Sequence, residues 1–302
     1  MFKFNRILVA IADPAAGMNK AIRRARALAR STGASIELFN AVPGTMSPGS
    51  AHAAAEQFTR FEAHKNHRQL ERTANRLRRE ELVVTVNVQT GYPVHAAILR
   101  RMRISKADLL IIEARKHNVF ARLLLTQTDF ELIRHCPAPL LIVKGQAAWR
   151  SPRILAALDP FHSNDKPSAL DGEIVAAAVA VATLVRGSVH AAHIYQPLGS
   201  YVADLPMAPL ALSSIPAQEN AHRTAVRRRF YADVGRYGIP KSRAHLVAGE
   251  SFIELPRVSR SMRAGLVVMG AVSRSGLKRI FIGNTAERVL DSLKCDVLVV
   301  KS

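Results

Sequence analysis

The feature that most constrains this chain is an internal repeat, because a segment that recurs in order must fold the same way twice. Arg6-Ile7-Leu8-Val9-Ala10-Ile11-Ala12-Asp13-Pro14 returns as Arg153-Ile154-Leu155-Ala156-Ala157-Leu158-Asp159-Pro160, each an apolar run that stops at Asp-Pro. Ala107-Asp108-Leu109-Leu110-Ile111-Ile112-Glu113 returns as Ala264-Gly265-Leu266-Val267-Val268-Met269-Gly270. Cys136-Pro137-Ala138-Pro139-Leu140-Leu141-Ile142-Val143-Lys144 returns as Cys295-Asp296-Val297-Leu298-Val299-Val300-Lys301. Two copies of ordinary domain size therefore share the 302 residues. The apolar pattern breaks between them, over Gly145 to Pro152, which sets the expected domains at 1–147 and 148–302.

Within each copy, short β-branched runs alternate with longer helical stretches, the sequence form of a parallel sheet covered on both faces. In copy one the pattern predicts strands near 6–12, 35–42, 83–89, 108–113 and 139–143, with helices near 17–31, 52–80, 94–105 and 128–135. In copy two it predicts strands near 153–158, 188–195, 243–248, 265–270 and 296–300, with helices near 169–186, 217–237, 251–263 and 284–293. The expected class is α/β: two tandem doubly wound domains, each a five-stranded parallel sheet with helices on both faces. Such sheets bind ligands beyond the carboxyl ends of their strands, where the strand order reverses. The last strands, near Leu140 to Val143 and Val297 to Val300, offer apolar edges through which the copies would pair.

Composition narrows the class. At 48% apolar and 22% charged residues the chain reads as globular rather than disordered. Its longest apolar run, Ile174 to Val185, stops at Arg186, short of the roughly 20 residues that a membrane span requires. No secretory signal pattern precedes Ile7, and the two cysteines, Cys136 and Cys295, each lead into a last strand, as buried thiols of a reducing compartment do. A cytoplasmic location is expected.

The most informative loop follows the fourth strand of copy two, from Gly270 through Ser273, Arg274, Ser275 and Gly283 to Asn284, Thr285 and Glu287. Small residues let a backbone approach a phosphate closely, and a helix starting near Asn284 would aim its amides at the anion. The other reading is a tight turn in which Asn284 caps the helix and Glu287 closes a box-like pattern. The loop is neither a Walker loop nor a GxGxxG fingerprint.

Here the sequence resembles the universal stress protein family, whose ATP-binding members carry a Gly, two residues, a Gly, nine residues, then Gly and Ser or Thr. Gly270 and Gly283 hold the first and last glycines; Ser273 replaces the second, and Asn284 followed by Thr285 stands at the Ser/Thr position. Family members place an Asp after strand one and an aliphatic residue at the end of strand two near the base, positions held here by Asp159 and Ile194. The resemblance covers essentially the whole chain and is greatest to the tandem, E-type members of bacteria, carried by Gln127 to Pro139 and Ile282 to Leu290. It implies an adenine nucleotide alpha hydrolase-like fold, a stress-response role, ATP with Mg2+ in copy two with at most slow hydrolysis, and tandem copies packed as an intrachain pseudo-dimer, with a homodimer of the whole chain open. It assigns no catalytic residue.

Copy one departs from this pattern. Glu113 stands where Gly270 stands, no glycine occurs from Ala114 to Gln127, and Asp129 and Glu131 fall in the first turn of the helix that would receive a phosphate. Those carboxylates would repel an anion, and Thr128 with Glu131 forms a capping-box pattern. Copy one is expected to be a structural half, although Asp13 persists.

The balance of 43 basic against 23 acidic residues gives a net charge of +20. Arginines concentrate at Arg23, Arg24, Arg26 and Arg30, along Arg68 to Arg79, and at Arg223 to Arg229, each group on a predicted helix. Solvated basic faces of this kind also attract polyanions, so the alternative function is a basic scaffold for nucleic acid, lipid or an acidic protein, held weakly and released by salt. No helix-turn-helix, zinc-finger or RNP pattern supports specific nucleic-acid readout. His64, His67 and Glu71 share one face of a predicted helix, where an exposed polar face is expected over a metal site.

Overall fold

The computed structural model describes residues 4–44, 51–114, 116–117, 122–123, 125–145, 148–161, 169–198, 215–271 and 284–301. Copy one runs β1 (Arg6–Ala10), α1 (Lys20–Thr32), β2 (Ser35–Val42), α2 (Ala51–Arg78), β3 (Val84–Thr90), α3 (Val94–Ser105), β4 (Leu109–Glu113), a small ladder β5 (Lys116–His117) with β6 (Arg122–Leu123), α4 (Gln127–His135) and β7 (Leu140–Val143). Copy two runs β8 (Arg153–Ala157), α5 (Leu170–Val185), β9 (Ser188–Tyr195), α6 (Ile215–Arg236), β10 (Ala244–Ala248), α7 (Ser251–Ser261), β11 (Ala264–Ala271), α8 (Asn284–Ser292) and β12 (Asp296–Lys301). Strands and helices fall within a few residues of the sequence expectation.

Within each copy the five strands of the main sheet are parallel, and the order β3-β2-β1-β4-β7 is repeated as β10-β9-β8-β11-β12. Central strands covered on both faces leave no room for polar alternation, which is why Leu109–Ile112 and Val297–Val300 are uniformly buried. On one face α1 and α5 pack together across the joint, and Ser31 Oγ donates to the Leu184 carbonyl at 3.0 Å.

The copies meet edge to edge. β12 pairs antiparallel with β7 in the register Val297–Ile142, Leu298–Leu141 and Val299–Leu140, so ten strands form one continuous sheet. Each last strand then sends a lysine across the joint to the end of the other copy's last helix. Lys144 Nζ donates to the Leu290 carbonyl, and to that of Leu293 at 3.4 Å. Lys301 Nζ donates to the Arg134 carbonyl at 3.1 Å and to that of Cys136 at 2.5 Å. Orphan carbonyls at a helix carboxyl end attract a cation. Burial lowers the pKa of both lysines to about 8.

A buried ion pair breaks the two-fold likeness. Arg24 Nε lies 2.6 Å from Asp296 Oδ2, while Asp296 Oδ1 accepts from the amides of Lys144 and Gly145 at 2.9 and 2.7 Å. Arg24 thus departs from the expected solvated basic face of α1, because its charge is neutralised inside the joint. Both cysteines are buried, and burial raises their thiol pKa. Among the described residues no helix is long and apolar enough to cross a membrane.

Candidate functional site

The strand order reverses between β1 and β4 in copy one and between β8 and β11 in copy two, and the crevices lie beyond these carboxyl ends. In each copy a residue near the carboxyl end of the fourth strand, Glu113 in β4 and Gly270 in β11, faces the first residue of the first helix. In copy one these are Glu113 and Lys20: Glu113 Oε2 accepts from the Lys20 amide at 3.1 Å, and Oε1 lies 3.5 Å from Lys20 Nζ. The amino end of α1 therefore already holds a carboxylate, the charge its dipole favours. In copy two the pair is Gly270 and Leu170, and a Cβ added to Gly270 would sit 2.6 Å from Leu170 Cδ2. Any larger residue at 270 would have to displace the buried Leu170 side chain.

The aspartates after the first strands also differ. Asp13 Oδ1 accepts from the Ala15 amide at 3.0 Å and opens a short 3-10 turn, a purely local cap. The Asp159 amide instead donates to both carboxylate oxygens of Asp171, each at 3.1 Å. Asp171 lies in the first turn of α5 and is 4% exposed. It fixes the backbone at Asp159, a role that sequence reasoning missed; the signal was an aspartate in the first turn of an Ala-rich helix where copy one has Ala21.

At the end of the second strand the two copies solve one problem with different side chains. Asn40 Nδ2 donates to the Ile11 carbonyl at 2.8 Å, and its own oxygen accepts from Asn66 of α2 at 3.0 Å. His193, at the matching place in copy two, puts Nδ1 3.0 Å from the Leu158 carbonyl, with its ring 6.0 Å from those of Phe161 and Phe230. Phe161 is 46% exposed. Beside Asp159, copy two thus has an aromatic wall where copy one has amides. Ile194, the next residue on β9, is half-buried.

The structure brings Asp159, Ile194 and Gly270 to one end of the sheet, and Asn284 and Thr285 open α8. Thr285 is exposed. Ser273, Arg274, Ser275 and Gly283 lie outside the described residues. The Glu287 carboxylate accepts from Arg134 Nη2 at 2.8 Å across the joint, so it tethers copy one rather than serving only its own helix.

The capping box of α4 differs from expectation. Its N-cap is Thr126, whose Oγ1 accepts from the Asp129 amide at 3.2 Å, while Asp129 Oδ2 accepts from the Thr126 amide at 2.8 Å. Thr128 falls inside the helix, and Glu131 instead pairs with Arg134 at 2.9 Å and His135 at 3.3 Å. On α2, Glu71 pairs with Arg78 at 2.8 Å, and His64 Nδ1 lies 2.8 Å from the Arg60 carbonyl. Among the described residues no three metal-ligating groups converge.

Comparison with known proteins accounts for the doubling. The model of the "Universal stress protein family" matches residues 3–144 and again 152–301. Universal stress protein E of Escherichia coli (strain K12) is 30% identical over 209 residues, 68% of this chain and 64% of the relative. A Universal stress protein E homolog of Haemophilus influenzae is also 30% identical, over 68% of this chain and 65% of its own. The match thus spans slightly less than two thirds of these relatives' length. A crystal structure of a protein of unknown function from Pseudomonas aeruginosa PAO1 superposes with a TM-score of 0.72 at 26% identity, covering 99% of this chain and 92% of the other. A universal stress protein from Archaeoglobus fulgidus shares the fold with a TM-score of 0.65 at 15% identity, each chain covered to 99%. With one family model fitting each half of a sheet that repeats its strand order, the chain belongs to the universal stress protein family, as a tandem of two of its domains.

Proposed function

We propose that this protein acts in the cytoplasmic stress response and that copy two binds an adenine nucleotide, ATP with Mg2+, in the crevice between β8 and β11, while copy one is its structural half. The observation that carries this reading is the contrast at the fourth strand: Gly270, packed against Leu170, brings no charge to the strand end where Glu113 places a carboxylate. Three further features support it. The buried Asp171 fixes the backbone that presents Asp159. Half-exposed Phe161 gives a flat apolar surface beside that aspartate, of the kind on which a purine stacks. The loop from Ser273, Arg274 and Ser275 to Gly283, Asn284 and Thr285 supplies small residues, hydroxyls and the Arg274 guanidinium for the phosphates.

The test is calorimetric titration of nucleotide-stripped protein with ATP and Mg2+, alongside Asp159→Ala and Gly283→Val. Binding is expected at about one site per chain, weakened in the first variant and lost in the second, since a branched side chain blocks close approach of the backbone. Unchanged binding in both variants, or no heat from the parent, overturns the assignment.

A further inference from the structure

At the opposite end of the sheet, beneath the linker between the copies, lies a cavity of about 450 Å3. Its basic lining is Arg24, Arg150, Arg153, Arg260, Arg263 and Lys294, and among the described residues no aspartate or glutamate lines it. Arg24 is neutralised by Asp296, and Arg153 donates Nη1 to the Met262 carbonyl at 2.8 Å. Among the described residues the other four side chains have neither an ion pair nor a hydrogen bond. Long cationic side chains normally spread apart in water; four uncompensated ones around one concavity repel each other and raise the local positive potential.

The repeat supplies an internal control for this corner. In copy one Asp108 stands just before β4, and its carboxylate accepts from the amides of Asn5 at 2.8 Å and Arg6 at 3.1 Å. In copy two Gly265 replaces that aspartate, and Pro152, which has no amide hydrogen, replaces Asn5. A Cβ on Gly265 would meet Pro152 Cβ at 2.8 Å, so this backbone has no room for the missing carboxylate. Copy one brings its own anion to the corner; copy two has closed that position and gathered arginines around the space beside it.

We infer that this cavity is a second anion site, independent of the nucleotide reading, and that it takes a small oligophosphate. Guanidinium groups bind phosphate oxygens through paired parallel hydrogen bonds, and several of them converging match a chain of linked phosphates better than a single monoanion. The volume admits a triphosphate-sized ligand. The chemistry is common to free inorganic oligophosphate and to the phosphate tail of a nucleotide.

Trp149 lines the same cavity, with the Arg24 guanidinium 4.8 Å from its ring centroid, and it is the only tryptophan in the chain. Its fluorescence therefore reports this site alone. The whole protein is titrated with inorganic tripolyphosphate at moderate salt, and a saturable change in Trp149 emission is expected. Arg260→Gln with Arg263→Gln should weaken binding at least tenfold. Arg68→Gln with Arg72→Gln, which removes the same charge from the exposed face of α2, should leave it within twofold. ATP is then added as competitor in the Gly283→Val background, where the proposed nucleotide crevice is blocked. Competition identifies the phosphate tail of a nucleotide as a source of the ligand; tripolyphosphate binding that ATP does not displace restricts the site to free oligophosphate. A signal that never saturates, or an equal loss in both double variants, overturns the inference, because the attraction is then only the net charge of the molecule.

Discussion

Where the fourth strand of copy one carries Glu113, that of copy two carries Gly270, and the two crevices diverge from that point. In copy one the carboxylate caps α1, a local aspartate caps its own turn, and Asn40 joins Asn66 to lay α2 over the second strand. In copy two a glycine packs on Leu170, a buried aspartate holds the backbone of another, and aromatic rings replace the amides. The sheet is the same in both. What differs is the chemistry at the open end of the fold: charged and amide groups that pair with one another in copy one, apolar and aromatic side chains around a buried aspartate in copy two.

The largest effect should come from the asymmetric part of the joint. Asp296 accepts three hydrogen bonds in a buried setting, whereas its counterpart Pro137 in copy one is exposed. Asp296→Ala strands the Arg24 guanidinium and should cost about 3–5 kcal/mol in chemical denaturation. A loss near zero would mean that the apolar ladder alone holds the copies together. Next in size, Gly270→Val should cost about 1–3 kcal/mol from overpacking against Leu170. Combining it with Leu170→Ala should give less than the sum of the two single losses; additivity would show that the two residues do not compete for one space.

The repeat made much of this fold legible, for a physical reason. Uninterrupted apolar runs such as Leu109–Ile112 and Val297–Val300, repeated between helical stretches, suit strands buried on both faces, and the pairing of the last strands agrees with their having no polar face. The site was legible only where it depends on small residues, at Gly270. The Arg24–Asp296 pair was hidden because burial of a charge is settled by a partner far along the chain, 272 residues away for Arg24, and Asp171 because its partner is a backbone amide, which the residue pattern does not mark. Nothing in the local pattern around Arg24 separates it from the exposed Arg23. The α4 cap was misplaced by two residues because Thr126 and Thr128 both precede an acidic residue by three. Differences between the copies would have found more: Pro137 against Asp296, Ala21 against Asp171 and Asp108 against Gly265 each mark a place where the structure departs from its own repeat.

A third test concerns what the copies still share. Lys144 and Lys301 reach across the joint in opposite directions, and burial lowers both to about 8 from an ordinary 10.5. Between those values the unfolded chain holds more protons than the folded one, so stability should rise as pH increases from 8 toward 10.5 and be flat below 8. The rise should be on the order of 1 kcal/mol per lysine once solvent screening is allowed for. Lys144→Met and Lys301→Met should each remove part of that slope; if only one does, the joint is less symmetric than its geometry. The smallest effect should be at Glu113. Glu113→Gln weakens a partly exposed pair with Lys20 and should cost about 0.3–1 kcal/mol in thermal or chemical unfolding. A larger loss would make that carboxylate a principal support of copy one.

The antiparallel seam between β7 and β12 also changes what dilution can do. Two separate subunits joined by such an edge would part as their concentration fell, and any residue on one side would have to appear on the other. Here the linker holds the partners at a high effective concentration however scarce the protein becomes. Fusion also removes the demand for self-complementarity, so Asp296 can be acquired on one side without a copy at Pro137. A chain built this way keeps its two-part geometry at any dilution and leaves each half free to diverge from the other.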